Sequence, residues 1–185
     1  SFRGHSDTEV MLAAFSQWGM EESLRRFQGM FAFALWDKLE QSLVLARDRV
    51  GKKPLYHGWC RETFLFGSEL KALRAHPDFD DSIDKDALAL FIQHAWVPGP
   101  RSIFEQVEKL PAGHWLRITA SGEQQLNCYW SALEAALCGE RQPFTGTLEE
   151  AADSLQTLLQ ETVGNRMIAD VSLGSLLSGG YDSAT

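Results

Sequence analysis

Apolar residues in the first two thirds of the chain change from helical to strand spacing. Between residues 6 and 18 they recur every three or four positions, which predicts a helix capped by Ser6, with Glu9 completing a capping box and Gly19 ending the helix. A short second helix is expected at residues 21–27. Nearly continuous apolar runs separated by short polar turns follow and predict an antiparallel sheet covered on both faces, partly by helices at about residues 69–73 and 85–94. The runs are residues 30–36, 42–46, 55–59, 63–66 and 114–119.

The last third has a different organisation. Residues 131–146 show no clear period and contain Gly and Pro, so they are the best linker candidate. Thr147 and Glu150 match a capping box that opens an amphipathic helix. Residues 171–177 then resemble a buried strand that leads directly into a Gly-rich turn. Helix, strand and Gly-rich turn are typical of the start of an α/β nucleotide-binding unit, so we expect domains at residues 1–130 and 147–185.

Charge and composition narrow the classes of function. Seventeen Lys+Arg against 25 Asp+Glu give a net charge of −8, which argues against binding to nucleic acid or to an anionic membrane through charge. The longest apolar run has seven residues, whereas a membrane span needs about 20. The three cysteines form no CxxC pair, so neither a disulfide scaffold nor a zinc site is expected, and a reducing cytoplasm fits best.

The segment with the clearest chemistry is SGGYDS, residues 178–183. A glycine pair lets backbone N–H groups face an anion, and Ser178 and Ser183 add hydroxyl donors. A helix that begins near Ser183 would point its positive end at the same anion. Asp182 would repel a phosphate unless a bridging Mg²⁺ takes oxygen ligands from both groups. The alternative is a tight strand-to-helix turn that only needs glycine and a polar cap.

A strand followed by SGGxDS resembles the pyrophosphate-binding loop of the ATP pyrophosphatases. Further blocks upstream resemble glutamine-hydrolysing asparagine synthetase, in the order in which that family has them. The blocks are SDTE (6–9), GMFAFALWD (29–37), ARDRVGKKPLY (46–56), GSELKAL (67–73), IF with KLPAGH (103–104, 109–114) and YW (129–130). The resemblance covers nearly the whole chain.

The resemblance implies α+β architecture followed by α/β. The first part would be the C-terminal portion of an αββα class II glutamine amidotransferase domain of the Ntn-hydrolase type, and the second the start of a PP-loop ATP-binding domain. Glutamine hydrolysis would supply ammonia, ATP would adenylate the β-carboxylate of aspartate with release of pyrophosphate, and ammonia would displace AMP to give asparagine. The full-length enzyme could form a homodimer.

Site residues follow from the same resemblance. Asp7 falls where the family binds the α-ammonium of glutamine, although an acid at this position could simply favour the first helical turn. Ser178, Gly179, Gly180, Asp182 and Ser183 match the ATP-binding loop, with Asp182 as the Mg²⁺ ligand. Two further residues, Leu176 and Leu177, would border the adenine.

Some features favour a structural role, and one expected residue is absent. We expect Arg47, Asp48, Arg49 and Lys53 to form ion pairs and turn contacts that support the fold. The N-terminal cysteine nucleophile of the family is absent, so the sequence is interpreted as a piece of a longer protein. This piece alone is expected to hydrolyse no glutamine. Other ATP-dependent enzymes with this two-domain plan, such as β-lactam synthetase-like enzymes, and a non-catalytic module remain alternatives.

Overall fold

The computed structural model describes Gly4 and residues 6–181. The chain divides into two units, Ser1–Leu137 and Cys138–Thr185, which are described separately. The described residues form helices α1 (Asp7–Arg26), α2 (Leu70–Arg74), α3 (Lys85–His94), α4 (Ala132–Arg141) and α5 (Leu148–Gly164). They also form strands β1 (Ala32–Asp37), β2 (Ser42–Arg47), β3 (Tyr56–Cys60), β4 (Thr63–Gly67), β5 (Glu108–Lys109), β6 (His114–Thr119) and β7 (Gln124–Cys128).

The strands of the first unit form two antiparallel sheets, whereas the apolar pattern alone predicted one and the resemblance implied two. One has the order β1-β2-β6-β7, and its central pairing sets Leu45 opposite Leu116. The other has the order β4-β3-β5. Gly58 lies in its central strand because a Cβ there would come within 1.9 Å of the carbonyl oxygen of Gln106. Close approach of another backbone is a common reason for glycine inside a strand.

Alternation of side chains along the strands builds three apolar clusters. The first lies between the sheets and is formed by Leu45 and Leu116 from one sheet with Leu55, Trp59 and Phe64 on the other side. A second cluster packs α1 against the outer face of the four-stranded sheet, and a third packs α2 against the outer face of the three-stranded sheet. Burial of both faces explains why the strands are nearly continuous apolar runs instead of alternating apolar and polar residues.

Helix α1 differs from the sequence expectation only in how its first turn is capped. The Ser6 hydroxyl caps it by accepting from the Thr8 N–H at 3.2 Å, as predicted. The Glu9 carboxylate accepts from the N–H of Gly4 instead of completing a capping box with Ser6. Gly19 adopts φ 75° and ends the first helical segment, as predicted. A second segment then continues to Arg26, where the sequence predicted a short helix at residues 21–27, so α1 is two helices joined at a kink.

Helix α5 begins as the sequence predicts. The Thr147 hydroxyl accepts from the Glu150 N–H at 3.2 Å, and the Glu150 carboxylate accepts from the Thr147 N–H at 2.7 Å. Both halves of the capping box are therefore present. These bonds lower the pKa of Glu150 because they favour its charged form.

Two elements of the last third differ from the sequence expectation. Helix α4 occupies most of the expected linker at residues 131–146. The expected buried strand at residues 171–177 is wrong, since this segment has no strand geometry and Val171 is 77% exposed. A strand buried on both faces needs hydrogen-bonded neighbours, and the described residues of the second unit provide none.

No helix among the described residues is long and apolar enough to cross a membrane.

A buried histidine in β3 gives the fold a testable pH dependence. His57 is 9% exposed and stacks on Phe64, with 6.1 Å between ring centroids. Burial lowers its pKa from 6.5 to about 4. Between those pH values the unfolded chain binds a proton that the folded chain does not. The stabilisation is therefore complete above pH 6.5 and is lost as the pH falls towards 4, by about 3 kcal/mol at most.

The measurement is urea unfolding of the His57→Phe chain at pH 7.5 and 5.0 beside the parent chain. We expect the variant to lose less stability than the parent at the lower pH, because its apolar ring cannot bind a proton. His94→Phe is the matched control, since His94 lies exposed at the end of α3. An equal loss of stability in the parent and in His57→Phe would contradict the assignment.

Candidate functional site

Asp7 is the first residue of α1, and its side chain is exposed. The Thr8 hydroxyl lies 3.5 Å from Asp7 Oδ1, a distance at the limit of a hydrogen bond. Ser6 caps the same helical turn, so the carboxylate stands beside N–H groups that carry the positive end of the helix dipole. This position allows the carboxylate to bind a cation, such as an α-ammonium group, and equally allows it to favour the helix.

The Gly-rich loop of the second unit is exposed. Leu176 and Leu177 are 95% and 74% exposed. Gly179 has φ 78°, and no atom of the described residues beyond its two chain neighbours lies within 4 Å of where its Cβ would be. The N–H of Gly180 points to the Ser178 hydroxyl at 3.4 Å. The glycine pair thus turns the chain sharply and leaves open space in which a phosphate could approach the backbone.

The predicted site is only partly described, because Asp182 and Ser183 are outside the described residues. Asp7 belongs to the first unit and the loop to the second. Across Gly4 and residues 6–181, no group of three or more His, Cys, Asp or Glu side chains could hold a metal ion. The assignments of Asp7 to glutamine and of the loop to ATP therefore stay predictions.

The charged turn after β2 is structural, as expected from the sequence, but it works through backbone groups and not through ion pairs. The Arg47 guanidinium donates to the carbonyl oxygens of Lys53 at 2.8 Å, Gly51 at 2.7 Å and Leu110 at 2.7 Å. Arg49 donates to the carbonyl oxygen of Arg25 at 2.5 Å, which connects the turn to the end of α1. These bonds use both cations to satisfy carbonyl groups of neighbouring segments.

The Asp48 carboxylate completes the same turn. It is 1% exposed and accepts from the N–H groups of Lys52 and Lys53, each at 2.9 Å and each on a different oxygen. The Asp48 carbonyl accepts from the N–H of Gly113, whose own carbonyl accepts from Tyr129. A chain of hydrogen bonds thus links the turn to the segment that follows β7.

Tyr129 closes this chain of hydrogen bonds. Its hydroxyl donates to the carbonyl oxygen of Arg47 at 2.9 Å. Burial, and then the nearby negative charge of Asp48, raise the pKa of Tyr129 well above its usual value, so the hydroxyl stays protonated and remains a donor. Gly113 has φ 69°, and a Cβ there would lie 2.2 Å from the Trp130 carbonyl oxygen. The YW and GH pairs of the sequence blocks therefore meet here as packing partners.

Comparison with known proteins decides the family. A family model described as a glutamine amidotransferase domain matches residues 1–130. The chain belongs to this family. A second family model, described as asparagine synthase, matches residues 154–185. The two matches follow one another along the chain in the order expected from the sequence blocks.

Curated relatives align with nearly all of the chain. Asparagine synthetase [glutamine-hydrolyzing] 3 of Bacillus subtilis is 34% identical over 191 aligned positions, with 98% of this chain and 29% of the relative covered. A putative asparagine synthetase [glutamine-hydrolyzing] 2 of Methanocaldococcus jannaschii is 33% identical, with 97% and 34% covered. The resemblance drawn from the sequence blocks is confirmed. The chain spans about a third of the length of these relatives.

Solved structures give a weaker match. Glutamine phosphoribosylpyrophosphate amidotransferase from B. subtilis is 19% identical with a TM-score of 0.48, and the match covers 70% of this chain and 24% of that one. The α+β architecture of the first unit, described above, stands on this chain's own helices and sheets.

Asp48→Asn tests whether the turn depends on a carboxylate with two accepting oxygens. An amide keeps one oxygen but sets an NH₂ group against a buried N–H, so one hydrogen bond is lost. We expect the free energy of unfolding to fall by about 1–3 kcal/mol, measured by denaturant unfolding of the chain.

Asp37→Asn is the matched control for this substitution. The same Oδ1 atom of Asp37 accepts from the N–H groups of Leu39 and Glu40, and this side chain is exposed. An asparagine can keep both bonds, so stability should change by less than about 0.5 kcal/mol. Equal losses of stability in the two variants would show that the buried hydrogen bonds of Asp48 contribute no more to stability than the exposed ones of Asp37.

Proposed function

We propose that this chain is part of a glutamine-hydrolysing asparagine synthetase. The observation that carries the proposal is the order of two matches on one chain, a glutamine amidotransferase domain followed by asparagine synthase. Relatives named as asparagine synthetases align across both segments and the junction between them. The full-length protein would be an ATP-dependent carbon–nitrogen ligase with glutamine as amido donor.

The fold supports the amidotransferase half of this proposal. We infer that the first unit is the C-terminal part of an αββα sandwich of the Ntn-hydrolase type, with a boundary near residue 130. In support, the three apolar clusters place α1, two sheets and α2 in successive layers. Residues 147–185 would then begin the PP-loop domain after a connection at residues 131–146 that contains α4.

In the amidotransferase half, Asp7 would bind the α-ammonium group of glutamine. The residue is exposed at the first turn of α1, and the structure gives it no basic side chain as an ion-pair partner within the described residues. A charge-assisted hydrogen bond to an ammonium group is about twice as strong as a neutral one. Hydrolysis of the bound glutamine would release ammonia for the second reaction.

In the synthetase half, residues 178–183 would bind the pyrophosphate portion of ATP. Backbone N–H groups at Gly179 and Gly180, with the Ser178 and Ser183 hydroxyls, are suitable donors for phosphate oxygens. The open space around Gly179 is compatible with such a group. Leu176 and Leu177, which are exposed beside the loop, would border the adenine.

Mg²⁺ would be the cofactor of this half. It prefers oxygen ligands and is commonly held by one or two carboxylates together with substrate phosphates. Asp182 would supply a carboxylate oxygen next to the loop. When bound, the ion would reduce the repulsion between that carboxylate and the phosphates.

The reaction would join the products of the two halves. The β-carboxylate of aspartate would be adenylated by ATP with loss of pyrophosphate, and ammonia would then displace AMP to give asparagine. Adenylation gives the carboxylate a good leaving group. Glutamine, aspartate and ATP would be the small-molecule partners. The enzyme would be cytoplasmic, could form a homodimer, and would bind neither nucleic acid nor membrane.

A second candidate is a related amidotransferase that acts on another carboxylic acid. Its support is a relative named amidase chry2 from Gibberella zeae, 30% identical, with all of this chain and 26% of the relative covered. Assays of the full-length protein with glutamine, ATP and a panel of carboxylic acids would distinguish the two. Pyrophosphate release that depends on aspartate favours the first candidate, and release that depends only on another acid favours the second.

Asp7→Ala in the full-length protein tests the glutamine assignment. Loss of a charge-assisted contact should raise the KM for glutamine about 10- to 100-fold, measured as glutamate formation. Thr8→Ala, the neighbouring position in the same helical turn, should leave this KM within about twofold. An unchanged KM with a loss of about 0.3–1 kcal/mol in stability would assign Asp7 to the helix dipole instead.

Asp182→Ala in the full-length protein tests the ATP half. Asparagine formation with ammonia or glutamine as donor should fall about 100-fold or more, since the proposed metal ligand is gone. Glutamate formation from glutamine should persist. Asp170→Ala is the control, because Asp170 is an exposed acid outside the loop. Asparagine formation retained in Asp182→Ala would refute the metal assignment.

A further inference from the structure

A cavity of about 540 Å³ lies in the first unit, and its lining includes neither Asp7 nor any residue assigned to ATP. Its lining comes from the end of β2, the start of β3, the loop after α3, and β5 with the segment that follows it. The volume lies in the range of pockets that bind small molecules, about 300–1,000 Å³.

Two cations line this cavity without an anion. They are Arg47 and Lys109, and none of the lining residues, all of them described, is acidic. The Lys109 ammonium donates to the carbonyl oxygen of Val97. Burial, and then the positive charge of Arg47, lower the pKa of Lys109. Neither cation forms an ion pair with another residue that the structure describes.

Both cations keep donors that protein groups do not use. Three of the five N–H bonds of the Arg47 guanidinium are directed to carbonyl oxygens. Lys109 uses one of its three N–H bonds on Val97. The bonds to carbonyl groups hold both side chains in place before any ligand arrives, which reduces the entropic cost of binding.

The rest of the cavity wall is flat and apolar. Trp96 and Tyr56 contribute aromatic rings, and Pro54, Pro100 and Pro111 contribute proline rings. Trp96 is 59% exposed, so much of its ring is accessible to a ligand. Such walls suit a planar group packed against them, while the two cations suit the oxygen atoms of a carboxylate or phosphate.

We propose that this cavity binds a small organic anion in which a carboxylate or phosphate group is carried on a flat apolar body. The oxyanion would accept from Arg47 and Lys109, and the body would lie against Trp96. The site shares no residue with the proposed glutamine and ATP sites, so it can be tested in the 185-residue chain without any assay of activity.

Ligand-observed NMR titration provides the test, with benzoate, phenyl phosphate, inorganic phosphate and benzyl alcohol as probes. Benzoate, phenyl phosphate or both should bind in the millimolar range or tighter, and the tighter one identifies the oxyanion. Benzyl alcohol lacks the charge and loses a charge-assisted hydrogen bond, so it should bind at least about tenfold more weakly. Inorganic phosphate keeps the charge but loses the apolar contact of the ring, so it should also bind at least about tenfold more weakly.

Substitutions place the binding in this cavity. Lys109→Met keeps the length of the side chain and removes the charge, and should weaken binding about tenfold or more. Lys38→Met, at an exposed turn after β1, is the matched control and should change nothing. Trp96→Ala truncates an exposed side chain, so it should preserve the fold and weaken benzoate or phenyl phosphate selectively.

Three results would overturn the proposal. The first is absence of binding by both benzoate and phenyl phosphate. The second is binding that is equally tight in the parent chain, Lys109→Met and Trp96→Ala. The third is binding of benzyl alcohol as tight as that of the anions. If Lys109→Met fails to fold, the Trp96→Ala titration decides by the same criterion.

Discussion

The turn between β2 and β3 is the constraint on which the first unit depends, because it carries the chain from one sheet to the other. Backbone groups there leave both ladders of hydrogen bonds and would be unpaired in a buried position. The Arg47 guanidinium and the Asp48 carboxylate, which is 1% exposed, pair with them instead. Since Arg47 also donates to Leu110 and Tyr129 donates back to Arg47, the turn fixes where the later strands lie.

This arrangement explains which parts of the fold could be predicted from the sequence. Strands β1 to β4 and β6 are short apolar runs, so their positions follow from local pattern. Their division into two sheets does not, because pairings such as β2 with β6 join residues about 70 positions apart. Strand β7 has the polar sequence QQLNC at a sheet edge, and β5 has two residues, so neither shows an apolar run.

The candidate sites also differ in how far the sequence alone reveals them. Asp7 and the loop at residues 178–183 are visible because each lies in a short local motif that resembles a family. Arg47 and Lys109 also lie in family blocks, but in two separate ones, and only the pairing of β3 with β5 and the turn after β2 bring them to one cavity. The sequence correctly assigns Arg47 a structural role, and the structure adds that three carbonyl bonds leave the guanidinium with donors to spare.

The second unit shows the opposite balance between local and distant interactions. Helix α5 has a complete capping box, yet Leu155, Leu158 and Val163 on it are each more than half exposed. Local bonds therefore define the helix where burial contributes little. The Gly-rich loop is likewise shaped by the positive φ of Gly179 and by the Ser178–Gly180 contact, with no strand before it. If the loop binds phosphate as proposed, its turn comes from the glycine pair itself, and a strand would be needed only to hold that turn in position.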